Sequence, residues 1–206
     1  MTIIVDYRAG NLTSVQLALA EVGESAEISA DPDKLRQADR LIFPGVGAAG
    51  ASMQALTEMG LIPALRDFVA SGKPFLGICV GCQILLEWSL EDEDTACLGL
   101  IAGSTGLFTP VPGVKVPHMG WNPVQYHRPH PVFVGIPDGS HFYFVHSYYP
   151  MPTQDADIAA HTSYGGLNFA SILAKENLVA CQFHAEKSGQ MGLRLLKNFC
   201  AWNGKA

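Results

Sequence analysis

The sequence predicts an α/β fold: a mostly parallel sheet flanked by helices, with a nucleophile elbow and an inserted region of antiparallel strands. Three observations carry this. Short apolar runs alternate with helical patterns from Ile3 to Ile78, the order that builds a parallel sheet. The stretch Lys73–Gln83, KPFLGICVGCQ, sets Cys79 between Gly77 and Gly81 after an apolar strand and before an apolar helix pattern. From Thr105 to Glu176 the texture changes to short alternating runs divided by turn residues, the mark of antiparallel strands beside the parallel core.

Each element has a local reason. Ile3–Val5 reads as a strand and leads into a helix with Leu12, Val15, Leu19 and Val22 on one face, stopped by Gly23. A second strand falls near Ala26–Ser29, and Asp31-Pro32-Asp33 opens a short helix. Leu41–Phe43 is a third strand, Pro63 and Gly72 bracket a helix, and Phe75–Ile78 is the strand before the cysteine. In the inserted region Phe142–Val145 and Phe169–Ala174 are the clearest strands. Leu178–Phe183 returns to a continuous buried strand, and a last helix, roughly Gly189–Trp202, carries Met191, Leu195 and Phe199 at helical spacing. No internal repeat, low-complexity tract or linker interrupts the chain, so residues 1–206 are expected to form one domain.

Composition narrows the function classes. A chain of 206 residues that is 48% apolar can bury a large core. A net charge of −6 opposes the basic footprint of a nucleic-acid binder. No basic amphipathic stretch suggests membrane attachment, no charged leader precedes Thr2–Asp6, and no apolar run reaches about 18 residues, so a cytoplasmic protein is expected. Five cysteines in a chain too large to need staples fit a reducing compartment with one special thiol.

The elbow supplies that thiol. A strand turning sharply into a helix forces the turn residue into disfavoured backbone angles, flanking glycines relieve the crowding, and the helix N-terminus favours thiolate. The segment Cys181–Ser188, CQFHAEKS, follows another apolar run and offers His184 as base and Glu186 as its orienter, since His-x-Glu on an extended chain points both side chains one way. Two other patterns compete. Gly45-Val46-Gly47-Ala48-Ala49-Gly50 fits the dinucleotide fingerprint, but it follows the third strand rather than the first and lacks an acidic residue ending the next strand. A glycine-rich turn there instead offers N–H groups to an oxyanion. Cys79-x-x-Cys82 matches a redox pair or half a zinc site, but no second such pair exists, so Cys82 is expected to pack. Cys97, Cys181 and Cys200 are expected to be simple core or surface thiols. His118 and His146 are read as structural or binding residues, and neither a metal nor a cofactor is expected. The acidic run Glu91–Asp94 reads as a solvated loop from which one carboxylate could meet a substrate ammonium.

Together, the elbow and the segment Phe183–Ser188 resemble the class I glutamine amidotransferases, which use a Cys-His-Glu triad. Within them the chain is similar to the glutaminase subunits of imidazole glycerol phosphate synthase. That narrower resemblance spans nearly the whole chain and rests on Asp6-Tyr7, Gly10–Leu12 with Ser14, Pro44–Ala48, the Lys115–Asn122 block KVPHMGWN, and Phe142–Tyr148. It implies that Cys79 attacks the glutamine amide, His184 delivers a proton to ammonia and Glu186 holds the imidazole. It further implies that the N–H of Val80 and one from Val46-Gly47 meet the oxyanion, and that Gln83, Glu91, Ser147 and Tyr148 hold glutamine. Ammonia would pass to a separate (β/α)₈ cyclase subunit in a heterodimer, with Asn11, Trp121 and Lys187 near the contact. Three positions depart from the family pattern: Arg8 stands where Gly is usual, Ala49 where Phe is usual, and Ala185 where Pro is usual. They leave open a paralogue that feeds another acceptor, and the elbow alone would also suit a same-fold cysteine hydrolase.

Overall fold

The computed structural model describes residues 1–91 and 94–205. Asp92 and Glu93 of the acidic run lie outside the described residues. The chain begins with β1 (Thr2–Val5), buried throughout, and α1 (Leu12–Glu21), which turns Val15, Ala18 and Leu19 inward. Gly23, at φ +84°, ends it as expected. After β2 (Ala26–Ser29) comes α2 (Pro32–Gln37), whose Asp31 cap accepts from the N–H groups of Asp33 and Lys34. Then follow β3 (Arg40–Gly45), α3 (Ala49–Glu58), α4 (Ile62–Ala70), β4 (Phe75–Cys79) and α5 (Val80–Gln83).

Two of these elements depart from expectation. The helix α3 was hidden by the glycine-rich pattern at its start and by its small inward residues Ala49 and Ser52, which weaken the apolar stripe. The helix after the elbow, α5, is a single turn. It stops because the next carbonyls, of Ile84, Leu85 and Leu86, accept from N–H groups in the segment Leu98–Ile101 instead of continuing the helix.

The inserted region begins earlier than the expected Thr105: it contains β5 (Trp88–Ser89), β6 (Thr95–Ala96), β7 (Gly103–Leu107), β8 (His118–Pro123), β9 (Gln125–Tyr126), β10 (His141–His146), β11 (Tyr148–Pro152), β12 (Ile158–Tyr164) and β13 (Leu167–Lys175). The chain closes with β14 (Leu178–Cys181), two residues shorter than its apolar run, and α6 (Gly189–Ala201).

An eight-stranded sheet in the order β2-β1-β3-β4-β14-β13-β12-β9 forms the middle of the molecule. Its first five strands are mutually parallel, and β13, β12 and β9 continue it antiparallel. The inserted strands therefore do not all lie beside the parallel core. Most of β13 is buried, so it must be covered on both faces and joins the main sheet. The remaining inserted strands make an antiparallel β8–β10 pair and a four-stranded sheet, β11-β7-β5-β6, which is antiparallel except where β5 and β7 pair in parallel. Buried apolar side chains form one cluster from Ile3 to Trp202. Among the described residues no helix is long and apolar enough to cross a membrane.

Candidate active site

The parallel strands β3 and β4 run side by side with Gly45 opposite Cys79, and both end at the same edge. Cys79 sits at φ 56°, ψ −110°, a left-handed conformation that a non-glycine residue adopts only where its surroundings over-determine it. Those surroundings are backbone. A methyl group on Gly81 would lie 2.1 Å from the Phe43 carbonyl oxygen, and one on Gly77 would lie 2.5 Å from the Gly81 oxygen. Glycine on either side is thus a packing requirement of the elbow. Val80 opens the turn α5, so its N–H has no carbonyl to meet within the helix.

His184 arrives from the neighbouring strand. Its own N–H donates to the Tyr143 carbonyl at 2.9 Å, and Ser188 Oγ both donates to the His184 carbonyl at 2.6 Å and accepts from the Tyr143 N–H at 3.0 Å. This fixes the ring. Nδ1 of His184 lies 2.8 Å from Glu186 Oε1, and both side chains are almost fully buried. The geometry that joins them differs from expectation: β14 has already ended, and Glu186 folds back in a 3₁₀ turn over Ala185–Lys187 instead of along an extended chain. With Nδ1 committed to the carboxylate, Nε2 is left for Cys79. Burial works to lower the His184 pKa, yet the hydrogen bonds that its ring donates to Cys79 and Glu186, with their charges, outweigh it and raise it to about 10.

A pocket of about 190 Å³ opens over the thiol. It is lined by Val46, Gly47, Cys79, Val80, Gln83, Glu91, Val145, His146, Ser147, Tyr148 and His184. The candidate nucleophile and base, all three oxyanion candidates and all four substrate candidates from the sequence therefore meet in one place. Glu186 stands behind His184, outside the lining. Gln83 spends both amide hydrogens, on the Tyr148 carbonyl and on Gln182 Oε1, each at 2.9 Å, so it presents Oε1 to a ligand. Glu91 Oε2 accepts from the Ala49 N–H at 2.9 Å, capping α3, which has no cap from Ala48. That contact draws the carboxylate from its loop to the pocket. Gly47, at φ +91°, has open space where a side chain would stand.

Away from the pocket, Trp121 and Lys187 are exposed, and Trp121 packs toward Tyr143 with ring centroids 6.0 Å apart. Asn11 begins α1 and accepts from Ser14 Oγ at 2.6 Å. Arg8 occupies φ +67°, so the position does require the left-handed region that glycine favours, and its N–H bonds Asp6 Oδ1 at 2.9 Å. Cys82 is fully buried, with its thiol pushed strongly up by burial and by the charge of Cys79. All five cysteines are free and buried. Among the described residues no group of three or more His, Cys, Asp or Glu is arranged to hold a metal ion.

Sequence reasoning missed Gln182, fully buried, whose Nε2 points at Cys79 Sγ from 3.8 Å. A lone amide inside a buried apolar run was the available signal. It also missed that His118 and His146 bond one another at 2.9 Å, because the two strands bearing them pair only in three dimensions.

Comparisons with known proteins give the family. The family described as glutamine amidotransferase class-I matches residues 3–202. The chain is 50% identical to the imidazole glycerol phosphate synthase subunit HisH of Maridesulfovibrio salexigens, covering 97% of this chain and 95% of that protein. It is 45% identical to the HisH subunit of Nitrosococcus oceani, with 98% and 97% covered, and 43% identical to that of Dehalococcoides mccartyi, with 97% and 96% covered. Among solved structures, the fold matches PurLQS from Thermotoga maritima with a TM-score of 0.75 at 17% identity and a crystal structure of a glutamine amidotransferase with 0.74 at 18%, each over 97% of both chains. This chain belongs to the class I glutamine amidotransferase family, and within it to the HisH glutaminase subunits.

Proposed function

We propose that residues 1–206 form a single glutamine amidotransferase domain acting as the glutaminase of an imidazole glycerol phosphate synthase, with glutamine as substrate and ammonia as the product passed on. The observation that carries this is the buried His184–Glu186 pair beside a strained Cys79 at the floor of one pocket. In this reading the Cys79 thiolate adds to the amide carbon, and the carbon–nitrogen bond breaks as the His184 imidazolium gives its proton to departing ammonia. Water, relieved of a proton by His184, then cleaves the thioester to glutamate and restores the thiolate. Glu186 keeps the ring in the useful tautomer. The Val80 N–H and one from Val46-Gly47 meet the negative charge on the amide oxygen. Gln83 Oε1 and Glu91 suit the ammonium group of glutamine, with Ser147 and Tyr148 completing the walls.

The acceptor in this reading is a (β/α)₈ cyclase subunit held in a heterodimer in the cytoplasm, yielding imidazole glycerol phosphate and an aminoimidazole carboxamide ribonucleotide. Asn11, Trp121 and Lys187 lie in its contact face. The isolated chain is slow, and the partner with its ligand activates it by setting the peptide at Gly47, where glycine lets an N–H or a C=O face the oxyanion. One such donor is worth about 10²–10³ in rate.

The test combines trapping with partner capture. A glutamine-like electrophile should label Cys79 alone, as read by peptide mass spectrometry, and glutamate release should rise when the cyclase subunit and its ligand are added. Gly47→Ala should lose most of that rise while still binding the partner. Absence of labelling, or full activity in the isolated chain, would refute the chemistry or the switch respectively.

A further inference from the structure

We infer that His146, aligned by His118, is a positioning residue for the glutamine site: the two buried rings form a hydrogen-bond line of fixed polarity that pins the Tyr148 carbonyl, and through it Gln83, beside Cys79. The line runs from the Asn122 amide, its Oδ1 2.8 Å from His118 Nε2, through His118 Nδ1 to His146 Nε2 at 2.9 Å, and from His146 Nδ1 to the Tyr148 carbonyl at 2.7 Å. That carbonyl also accepts from Gln83 Nε2, whose second hydrogen goes to Gln182, and Gln182 reaches Cys79 Sγ.

Chemistry sets the direction. A carbonyl only accepts, so His146 Nδ1 must carry a proton. His146 is buried and its pKa is pushed down to about 3 by burial, against the Tyr148 bond and with help from nearby His118 and His184, so the ring is neutral and its Nε2 can only accept. His118 Nδ1 must then donate. Burial lowers the His118 pKa, so the ring is neutral and, with its proton on Nδ1, its Nε2 is bare; the Asn122 amide, whose two ends are alike in shape, must therefore turn Nδ2 rather than Oδ1 toward it, and the 3.5 Å contact of Nδ2 with the Ser163 carbonyl is too long to hold the opposite orientation. His118 is fully buried and held between Tyr164, at 3.9 Å, and Phe144, at 4.9 Å, both nearly parallel to it, so the ring cannot turn to break the line. Without the donor from His118, His146 Nε2 would be a buried acceptor with no partner, and the ring would be free to release Tyr148. The consequence for glutamine rests on the glutaminase reading above.

Two substitutions separate positioning from packing. His118→Phe keeps the stacked ring and removes the donor; His118→Asn removes the ring and keeps a donor near the Nδ1 position. With the cyclase subunit present, His118→Phe should raise the KM for glutamine roughly tenfold with kcat within about twofold, and His118→Asn should raise it less. A packing role predicts the reverse order, and that order would overturn the inference. The polarity is tested separately, without catalysis, by ring-nitrogen chemical shifts of ¹⁵N-histidine in the wild-type chain at neutral pH. His146 should show a protonated Nδ1 and a bare Nε2; a protonated Nε2, in either a neutral or a cationic ring, would overturn it. Lack of wild-type activity on glutamine would refute the glutaminase reading and leave the line to be judged by the spectra alone.

Discussion

The parallel half of the molecule and its antiparallel insert both reach the pocket, but they are built on different principles. In the parallel half, backbone lies against backbone at the elbow, and Cys79 is held in a strained conformation because nothing beside it can yield. In the insert, side chains meet side chains: a cluster of Phe108, His118, Phe144, His146, Tyr164 and Phe169 supports the pocket wall through ring contacts and hydrogen bonds. In the proposed mechanism the first arrangement suits the reacting atoms, which tolerate little displacement. The second suits substrate holding, where polarity and shape matter more than sub-ångström placement.

The largest expected difference is catalytic. Cys79→Ser should reduce glutamate release by about 10³-fold or more, His184→Ala nearly as much, and Glu186→Gln about tenfold to a hundredfold less severely, because it orients the base without moving the proton. Cys82→Ser, next door and fully buried, should do little. Steady-state assays with saturating partner give the ranking, and a Cys82→Ser as damaging as Cys79→Ser would reinstate a redox pair. Damage from the insert should instead appear in KM.

The second contrast concerns stability. Gly81→Ala must displace the Phe43 carbonyl and should cost about 3 kcal/mol or more, or prevent folding. Gly106→Ala in the insert meets only the Met151 sulfur and the end of the Tyr149 ring, near 2.8 Å, which can shift, so it should cost about 1 kcal/mol. Denaturant midpoints compare the two. Gly103, boxed in by the Met151 carbonyl at 2.3 Å, is where the insert would fail like the elbow.

Titration should separate the halves by sign. In the insert, burial lowers the pKa of His146 to about 3 and that of His130 to about 4. The unfolded chain, titrating near 6.5, binds more protons between these values, so this stability is full above about 6.5 and is lost as pH falls toward 3 to 4, by about 1–2 kcal/mol per ring at pH 5. His184 behaves oppositely. Its raised pKa gives stability that is full below about 6.5 and is lost as pH rises through about 10. Melting temperatures from pH 5 to 10 in wild type and His184→Ala should show the alkaline loss shrinking in the variant and the acid loss unchanged.

The smallest effects belong to two departures from the family pattern. Arg8→Gly should stabilise by up to about 1 kcal/mol, since Arg8 sits at positive φ. Ala185→Pro should be tolerated, with a change within about 1 kcal/mol, because proline's fixed φ suits the opening of a 3₁₀ turn while the substitution removes an N–H that meets the buried Cys181 thiol. A lowered melting temperature in Ala185→Pro would mean that its N–H or the packing around it matters more than chain entropy.

Most of the parallel half was legible because its information is local. The βα alternation, the Gly23 stop, the Asp31 cap and the glycines around Cys79 each act within a few residues, and the elbow motif names its own geometry. The helix α3 escaped because its inward face is built from small residues, and the length of α5 escaped because carbonyl partners far along the chain decide where it stops. From the chain alone came the fold class and the choice of Cys79, His184 and Glu186 as the proposed nucleophile, base and orienter, since each is a chemical identity at a fixed local spacing. Only the tertiary structure decided that β13 joins the main sheet, that a 3₁₀ turn brings Glu186 to His184, that Gln182 faces the thiol, and that His118 and His146 meet. Each of these depends on strand pairing or burial between distant segments, and register across a sheet is settled by the packing of the whole core.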